Sequence, residues 1–239
     1  MRRAVWRRLD QCFQPGDRIL ELNCGTGEDA IHLARRGVRV LATDRSEAML
    51  AVASRKVEAA GLQTVVELRQ LALEDLSSFE TAPFDGSFSN FGGLNCVSDL
   101  RGFGRGLAGL VRQGGAVVLC VMGPVVPWEW IWYLAHAQPR KAFRRLHAGG
   151  VTWRGLRIEY PSLGQVQRAL LPAFHLRSTG AVGALLPPPY TEQWAVRHPS
   201  LVRWLDRTER RWESRRLLAT LADHYVIELE RVPVPESRL

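Results

Sequence analysis

Glu21, Gly25, Thr26, Gly27 and Asp44 have the residue types and the spacing to do chemistry together. Gly25-Thr26-Gly27-Glu28-Asp29-Ala30 fits a GxGxxG/A turn. The two glycines let a ligand approach the backbone closely. Asp44 follows 17 residues after Gly27, at the end of the next apolar run, where one carboxylate can accept both hydroxyls of a ribose. The turn follows a strand and opens a helix, and that context makes it a site for an adenosine-bearing ligand.

NAD and S-adenosylmethionine both fit such a frame, and charge separates them. NAD brings a pyrophosphate to the helix N-terminus. Glu21, Glu28 and Asp29 surround that point and would repel it. The same acids suit a ligand carrying a sulfonium and an ammonium. Glu28 and Asp29 also favour a helix N-terminus on dipole grounds alone.

Glu21-Leu22-Asn23-Cys24-Gly25-Thr26-Gly27 resembles the first motif of the Rossmann-fold (class I) S-adenosylmethionine-dependent methyltransferases, acid-x-Gly-x-Gly-x-Gly. Cys24 to Gly27 takes the form common in the branch that resembles ubiquinone-biosynthesis and other small-molecule methyltransferases. The resemblance covers residues 17–123 well and the rest loosely. Asn23 stands where the family carries glycine, so its side chain must turn away or bond the loop. The resemblance implies a cofactor site of Glu21, Asn23, Cys24, Gly25, Thr26, Gly27, Asp44 and Arg45. It adds Glu74 as the acid after the third strand, beside Ala72 where the family has Asp. Asn90 and Phe91 lie in a loop over the methionine half of the cofactor. Asp85 opens the fourth strand in the family's Phe-Asp pattern and is structural.

The elements that must hold these residues alternate. Residues 2–13 read as an amphipathic helix on Val5, Leu9 and Phe13. Strands are expected over Arg18 to Asn23, Val38 to Thr43, Val65 to Leu68, Phe84 to Asn90 and Ala116 to Met122. Helices are expected over Glu28 to Arg36, from a Ser46 cap to Ala60 with a stripe of Met49/Leu50, Ala53 and Val57, and over Asp99 to Val111. This is an α/β chain with a doubly wound, mostly parallel sheet and an inserted cap between strands five and six. The expected division is a core over 17–123, a cap over 124–172, and 173–239 completing the sheet. After Pro124 the spacing predicts a helix over Trp128 to Leu146, a strand over Val151 to Tyr160 and a short helix over Gln165 to Leu171. A strand over His175 to Gly183, a charged helix over Ser200 to Leu221 and a last strand over Tyr225 to Arg231 follow.

The acceptor side names no obvious base. His136 is the best of the later histidines, because it shares a helix with aromatics. Trp128 and Trp132 share one helical face as an aromatic wall or as plain core. Asn95, Tyr160 and Tyr190 are further candidates to contact an acceptor. The region before the first strand is short, so the role of a lid falls to an N-terminal remnant, to the cap or to a second subunit.

Composition bounds the rest. Residues 1–123 carry 15 basic and 14 acidic side chains; residues 124–239 carry 17 and 10, with seven of the eight tryptophans. The basic half suits an anionic substrate, nucleic acid or a membrane surface. The four cysteines form no CxxC pair, which reads as a reducing cytosol with no structural zinc. No run is long enough to span a bilayer, and no signal peptide opens the chain. The expectation is therefore a cytoplasmic enzyme, monomer or homodimer, that moves a methyl group from S-adenosylmethionine to an O, N or activated C nucleophile of a small molecule. An RNA methyltransferase, an NAD-binding oxidoreductase and a cofactor-binding protein without activity are the alternatives.

Overall fold

A computed structural model describes residues 1–153, 155–186 and 192–233, leaving aside the side chains of 192–194. Helix α1 (Arg2–Cys12) leads into β1 (Arg18–Leu22), α2 (Glu28–Ala34), β2 (Arg39–Asp44), α3 (Glu47–Ala59), β3 (Val66–Gln70) and β4 (Phe84–Ser89). Then come α4 (Leu100–Leu110) and β5 (Val111–Met122). The order β3-β2-β1-β4-β5 is parallel throughout. Strands β8 (Phe174–Val182) and β9 (His224–Arg231) extend it to seven, with β9 antiparallel to both β5 and β8. The chain reverses at β1, between β2 and β4, and such a switch point opens a crevice beyond the carboxyl ends of the strands.

Both faces of the sheet are covered, which the near-continuous apolar strands require. Val5 and Leu9 of α1 and Leu33 of α2 pack on one face, with Val57 of α3. Phe103 and Leu107 of α4 pack on the other, with Val166 of α7 (Leu163–Leu170). The periodicities were read correctly in outline. Met49 is the exception in α3: it is exposed, and Ala53 and Val57 carry the contact. Strand β5 starts directly after α4, at Val111, five residues before the expected start. Gly114, at φ +75°, absorbs the irregularity in its pairing with β4.

The segment between β5 and β8 departs most from expectation. The helix over Trp128 to Leu146 is broken into α5 (Pro127–Ala135), α6 (Pro139–Ala142) and a 3-10 turn at Arg144–Leu146. Pro139 has no N–H to continue α5, and Ala137 takes φ +54° at the break. The strand over Val151 to Tyr160 is a hairpin of β6 (Val151–Trp153) and β7 (Leu156–Ile158), bent at Gly155 with φ +80°. A capping box between Ser162 and Gln165 starts α7. The charged helix over Ser200 to Leu221 is divided between α9 (Pro199–Trp212) and α10 (Arg216–Thr220), and α8 (Glu192–Arg197) precedes it. Among the described residues no helix is long and apolar enough to cross a membrane.

Candidate active site

The turn after β1 is wound by positive φ angles: Asn23 at +58°, Gly25 at +54° and Gly27 at +79°. A Cβ on Gly27 would lie 3.0 Å from the Ala53 side chain, so glycine also lets α3 close on the turn. Asp44 ties the turn to β2. Its Oδ2 accepts from the Gly25 N–H at 2.9 Å and its Oδ1 from the Ser46 N–H at 2.8 Å. Each carboxylate oxygen keeps a lone pair for a further donor. Cys24 is buried, and burial pushes its thiol far above the usual range. Lys56 reaches from α3 to Thr26 Oγ1 at 3.1 Å and to Glu28 Oε1 at 2.7 Å.

The three acids around the turn are not equivalent. Glu28 is exposed, and its hydrogen bond to Lys56 lowers its pKa. Asp29 is buried, and α1 supplies its partners. Arg2 Nη1 and Trp6 Nε1 both donate to Asp29 Oδ1 at 2.7 Å, and Asn90 Nδ2 donates to Oδ2 at 2.9 Å. Glu21 is 1% exposed and keeps Oε2 without a partner. Burial pushes its carboxyl well above the carboxylate range, the charge of Asp29 adds to this, and Arg2 opposes it. The repulsion expected from three bare carboxylates therefore falls mainly on Glu21.

Strand register gathers further polar atoms here. Glu21 pairs with Phe88 and Leu22 with Ser89, so the ends of β1 and β4 lie side by side. Glu21 Oε2, Asn23 Oδ1, Ser89 Oγ and Asn90 Oδ1 all lack a hydrogen-bond partner among the described residues. Leaving such a group buried costs about 1–3 kcal/mol. Four other buried atoms have no aligned partner, but those of Glu129 and Arg145 and His224 Nδ1 each lie within 3.0 Å of an opposite charge. All four can accept hydrogen bonds, and the Ser89 hydroxyl, and Glu21 when protonated, can also donate. They fit a cationic donor such as an ammonium, and they are the wrong set for a phosphate. Asn23 turns its side chain against Gly93, where a Cβ would stand 2.4 Å from Asn23 Cγ.

Phe91 follows Asn90 at φ +47°. Its ring meets the Arg2 guanidinium at 5.3 Å and the His224 ring edge-on at 5.2 Å. Arg45 and Glu74 are both exposed and lie around the thiol of Cys96. Burial raises that thiol, the charge of Arg45 lowers it, and Glu74 raises it again.

The acceptor-side expectations need correction. Asn95 is fully buried and its amide is spent on backbone. Nδ2 donates to Met122 O at 3.0 Å and to Glu159 O at 2.7 Å, and Oδ1 accepts from Met122 N at 2.9 Å. It clamps β7 to the end of β5 and has no donor left for an acceptor. Trp128 donates from Nε1 to Leu185 O at 3.0 Å, which pins α5 to the loop after β8. The Trp132 and His136 rings pack tilted, with centroids 4.3 Å apart. His136 is exposed and turns Nδ1 back to Trp132 O at 2.7 Å. Tyr160 packs under the Arg145 guanidinium at 5.2 Å. Tyr190 lies outside the described residues.

Sequence reading missed a cluster at the same end of the sheet. His224 opens β9 opposite Met122 of β5 and Val182 of β8. Its Nδ1 lies 3.0 Å from Asp223 Oδ2. Arg145 Nη2 donates to Asp223 Oδ1 at 2.6 Å, and Arg145 Nε lies 2.8 Å from Glu129 Oε2. Burial alone would raise the Asp223 carboxyl, but His224 and Arg145 hold it down at about 2. The only sequence signal was an Asp-His pair opening a strand.

Comparison with known proteins agrees with this geometry. Residues 19–115 match the family described as methyltransferase domain. A ubiquinone biosynthesis O-methyltransferase of Methylocella silvestris is 41% identical over 100 residues, 42% of this chain and 38% of that protein. A demethylmenaquinone methyltransferase of Clavibacter sepedonicus is 37% identical over 113 residues, 47% and 44% respectively. The matched part of the chain thus spans less than half the length of these relatives. In structure, an S-adenosylmethionine-dependent methyltransferase from Mesorhizobium loti superposes with a TM-score of 0.62 at 21% identity, over 95% of this chain and 98% of that one. Sheet order and glycine turn agree with that match: residues 19–115 are similar to methyltransferase domains and have a Rossmann-like architecture.

Proposed function

We propose that the chain transfers a methyl group from S-adenosylmethionine to a small-molecule nucleophile. The observation that carries this is the set of unpartnered acceptors, Glu21 Oε2, Asn23 Oδ1 and Asn90 Oδ1 with Ser89 Oγ, beside a glycine turn that ends at Asp44. When bound, the cofactor supplies a methyl made electrophilic by its sulfonium. Glu21 and Asn90 take its ammonium, and the free lone pairs of Asp44 take the ribose hydroxyls. Gly25, Thr26 and Gly27, with Asn23 and Cys24, line its path, and Phe91 covers it. Arg45 and Glu74 flank the far end around Cys96.

In this reading residues 17–123 hold the donor, 124–172 cap the cleft and 173–239 complete the sheet. The relatives named for ubiquinone biosynthesis and demethylmenaquinone support a small-molecule acceptor. Transfer forms the bond from nucleophile to methyl as the carbon–sulfur bond breaks, with the electron pair going to sulfur. Aligning the nucleophile can supply roughly 7–11 kcal/mol. In this reading His224 Nε2 takes the proton that the nucleophile loses, with Asp223 3.0 Å from Nδ1 to balance the charge.

The test is transfer of labelled methyl from S-adenosylmethionine into the small-molecule fraction of a bacterial extract, with the product identified by mass. Calorimetry runs beside it with S-adenosylhomocysteine and NAD. Binding of NAD without S-adenosylhomocysteine sinks the proposal. His224→Gln should keep S-adenosylhomocysteine affinity and slow transfer about a hundredfold or more, in the range of general-base loss.

A further inference from the structure

Asp29 is a buried carboxylate to which methyl transfer has so far given no part. It is 4% exposed and is the second residue of α2, beside the glycine turn. Taking a carboxylate out of water costs stability unless it is paired and hydrogen-bonded. Asp29 is both, and its partners come from elsewhere in the chain. Arg2 and Trp6 of α1 donate to Oδ1, and Asn90, the residue after β4, donates to Oδ2.

Docking of α1 does not account for this arrangement. Val5 and Leu9 are already buried in the core on that face of the sheet. Trp6 stacks on His32 of α2, with ring centroids 4.1 Å apart and an interplanar angle of 4°. At the far end of α1, Asp10 Oδ1 lies 2.8 Å from His32 Nε2 and 3.0 Å from Arg36 Nε. These contacts hold α1 on α2 without Asp29. A docking role also leaves the third partner, Asn90, without a reason.

Asn90 supplies the reason. An amide side chain has an acceptor at one end and donors at the other, whereas a carboxylate only accepts. Asp29 therefore meets the nitrogen end. Asn90 Nδ2 donates to Asp29 Oδ2 at 2.9 Å, and Oδ1 is left buried with no partner among the described residues. Asn95 is the contrast, because both ends of its amide are spent on backbone. A group that donated to Asn90 in place of Asp29 would rotate the amide and leave N–H groups where Oδ1 now stands. Those would repel an ammonium. The same helix bears on Glu21 too, since Arg2 opposes the rise that Asp29 adds to its carboxyl.

We propose that Asp29 is a positioning residue for the methyl donor: held by Arg2 and Trp6 of α1, it turns the Asn90 amide so that Oδ1 meets the ammonium of the ligand. The inference rests on the reading of Glu21 and Asn90 as the ammonium site. Asp29 acts through Asn90, and α1 is thereby part of the donor site.

The test is calorimetry of the full chain with two ligands. S-adenosylhomocysteine carries the ammonium, and methylthioadenosine keeps the adenosine and the thioether without it. Asp29→Asn keeps the shape. With its oxygen still accepting from Arg2 and Trp6, it sets an amide N–H against Asn90. This variant should lose at least about tenfold in affinity for S-adenosylhomocysteine, the scale of one hydrogen bond to a charge, and stay within about twofold for methylthioadenosine. The exchange of Asp29→Asn with Asn90→Asp returns an oxygen to the ligand side and should bring S-adenosylhomocysteine at least to within about threefold of wild type. Trp6→Phe keeps a ring on His32 and deletes one donor to Asp29. It should lose about threefold for S-adenosylhomocysteine alone. Urea unfolding shows which variants are folded. Equal losses for both ligands in Asp29→Asn overturn the proposal and leave Asp29 a structural role. No loss for either ligand overturns it as well, as does a folded exchange variant that restores nothing. Where Asp29→Asn is unfolded, Trp6→Phe decides, and an unchanged affinity or an equal loss for both ligands overturns the proposal. Wild type that binds neither ligand sinks the methyl-transfer reading itself, and the inference with it.

Discussion

Two polar clusters sit at the carboxyl end of one sheet and are built on opposite terms. Around Glu21, Asn23, Ser89 and Asn90, buried oxygens have no hydrogen-bond partner among the described residues. Around Glu129, Arg145 and Asp223, charges of both signs meet at 2.6–2.8 Å. The first cluster costs stability, and in the proposed reading a cationic ligand completes it. The second needs no ligand, because it joins α5 and the turn after it to the start of β9. Burial alone therefore does not mark a functional site. What separates the two is whether the protein supplies the opposite charge.

Removing the opposite charge from the second cluster gives the largest expected effect. Arg145→Met strands Glu129 and Asp223 together, and breaking a buried pair costs about 3–5 kcal/mol. Urea unfolding at neutral pH should show a loss of about 4 kcal/mol. The pH dependence has a definite sign. Asp223 is held at about 2, below its ordinary 3.8. Its stabilisation is present above that ordinary value and is lost as pH falls through about 2. Wild type should lose stability over that window, and the variant should lose less. A wild type that is flat there would show that the cluster contributes no ion-pair energy.

Asp44→Ala comes next and acts on the first cluster. It removes the proposed ribose acceptor and frees the Gly25 and Ser46 amides that Asp44 holds. Hydrogen bonds to charged groups are worth about 1.5–3 kcal/mol each, so calorimetry should show at least about a hundredfold loss of S-adenosylhomocysteine affinity. A loss under about threefold would mean that Asp44 serves only the turn.

The first cluster was legible in the sequence and the second was not, for a physical reason. Glu21, Gly25, Gly27 and Asp44 lie on one strand–turn–helix–strand unit, so local geometry dictates their meeting. Arg145 and Asp223 are 78 residues apart and meet only because β9 inserts between β5 and β8. Asp29 was read as a ligand-facing acid because its partners, Arg2 and Trp6, come from a separate helix. Asn95 is ambiguous in sequence for another reason. A short amide after a strand looks the same in sequence whether it faces a ligand or two carbonyls. The break at Pro139 was visible, and the aromatic run before it hid its meaning.

A smaller effect tests what kind of ligand the first cluster takes. Glu21→Gln keeps the shape and removes the charge. Because burial and Asp29 raise the Glu21 carboxyl well above the usual range, wild type binds an ammonium better as pH rises and Glu21 ionises. The variant should bind about tenfold more weakly at high pH, equivalent to about 1.4 kcal/mol, and its affinity should be flatter with pH. Without cofactor the sign reverses. A group with a raised folded pKa stabilises below its unfolded value and loses that contribution as pH rises through the folded one. The cofactor-free variant should therefore gain stability over wild type as pH increases. Parallel pH profiles for the two proteins would break the assignment of the unpaired acid to a cation.

The smallest effect belongs to the histidine that sequence reasoning preferred. His136 is exposed, packs its ring at a tilt against Trp132 and returns Nδ1 to the carbonyl of that residue. A surface contact of this kind is worth little, so His136→Ala should shift stability by less than about 0.5 kcal/mol. Methyl transfer should keep its rate and its pH profile, because neither polar cluster includes His136. A tenfold loss of transfer with unchanged cofactor affinity would put the acceptor against α5. The division drawn between the two clusters would then need a third region, on the outer side of the cap.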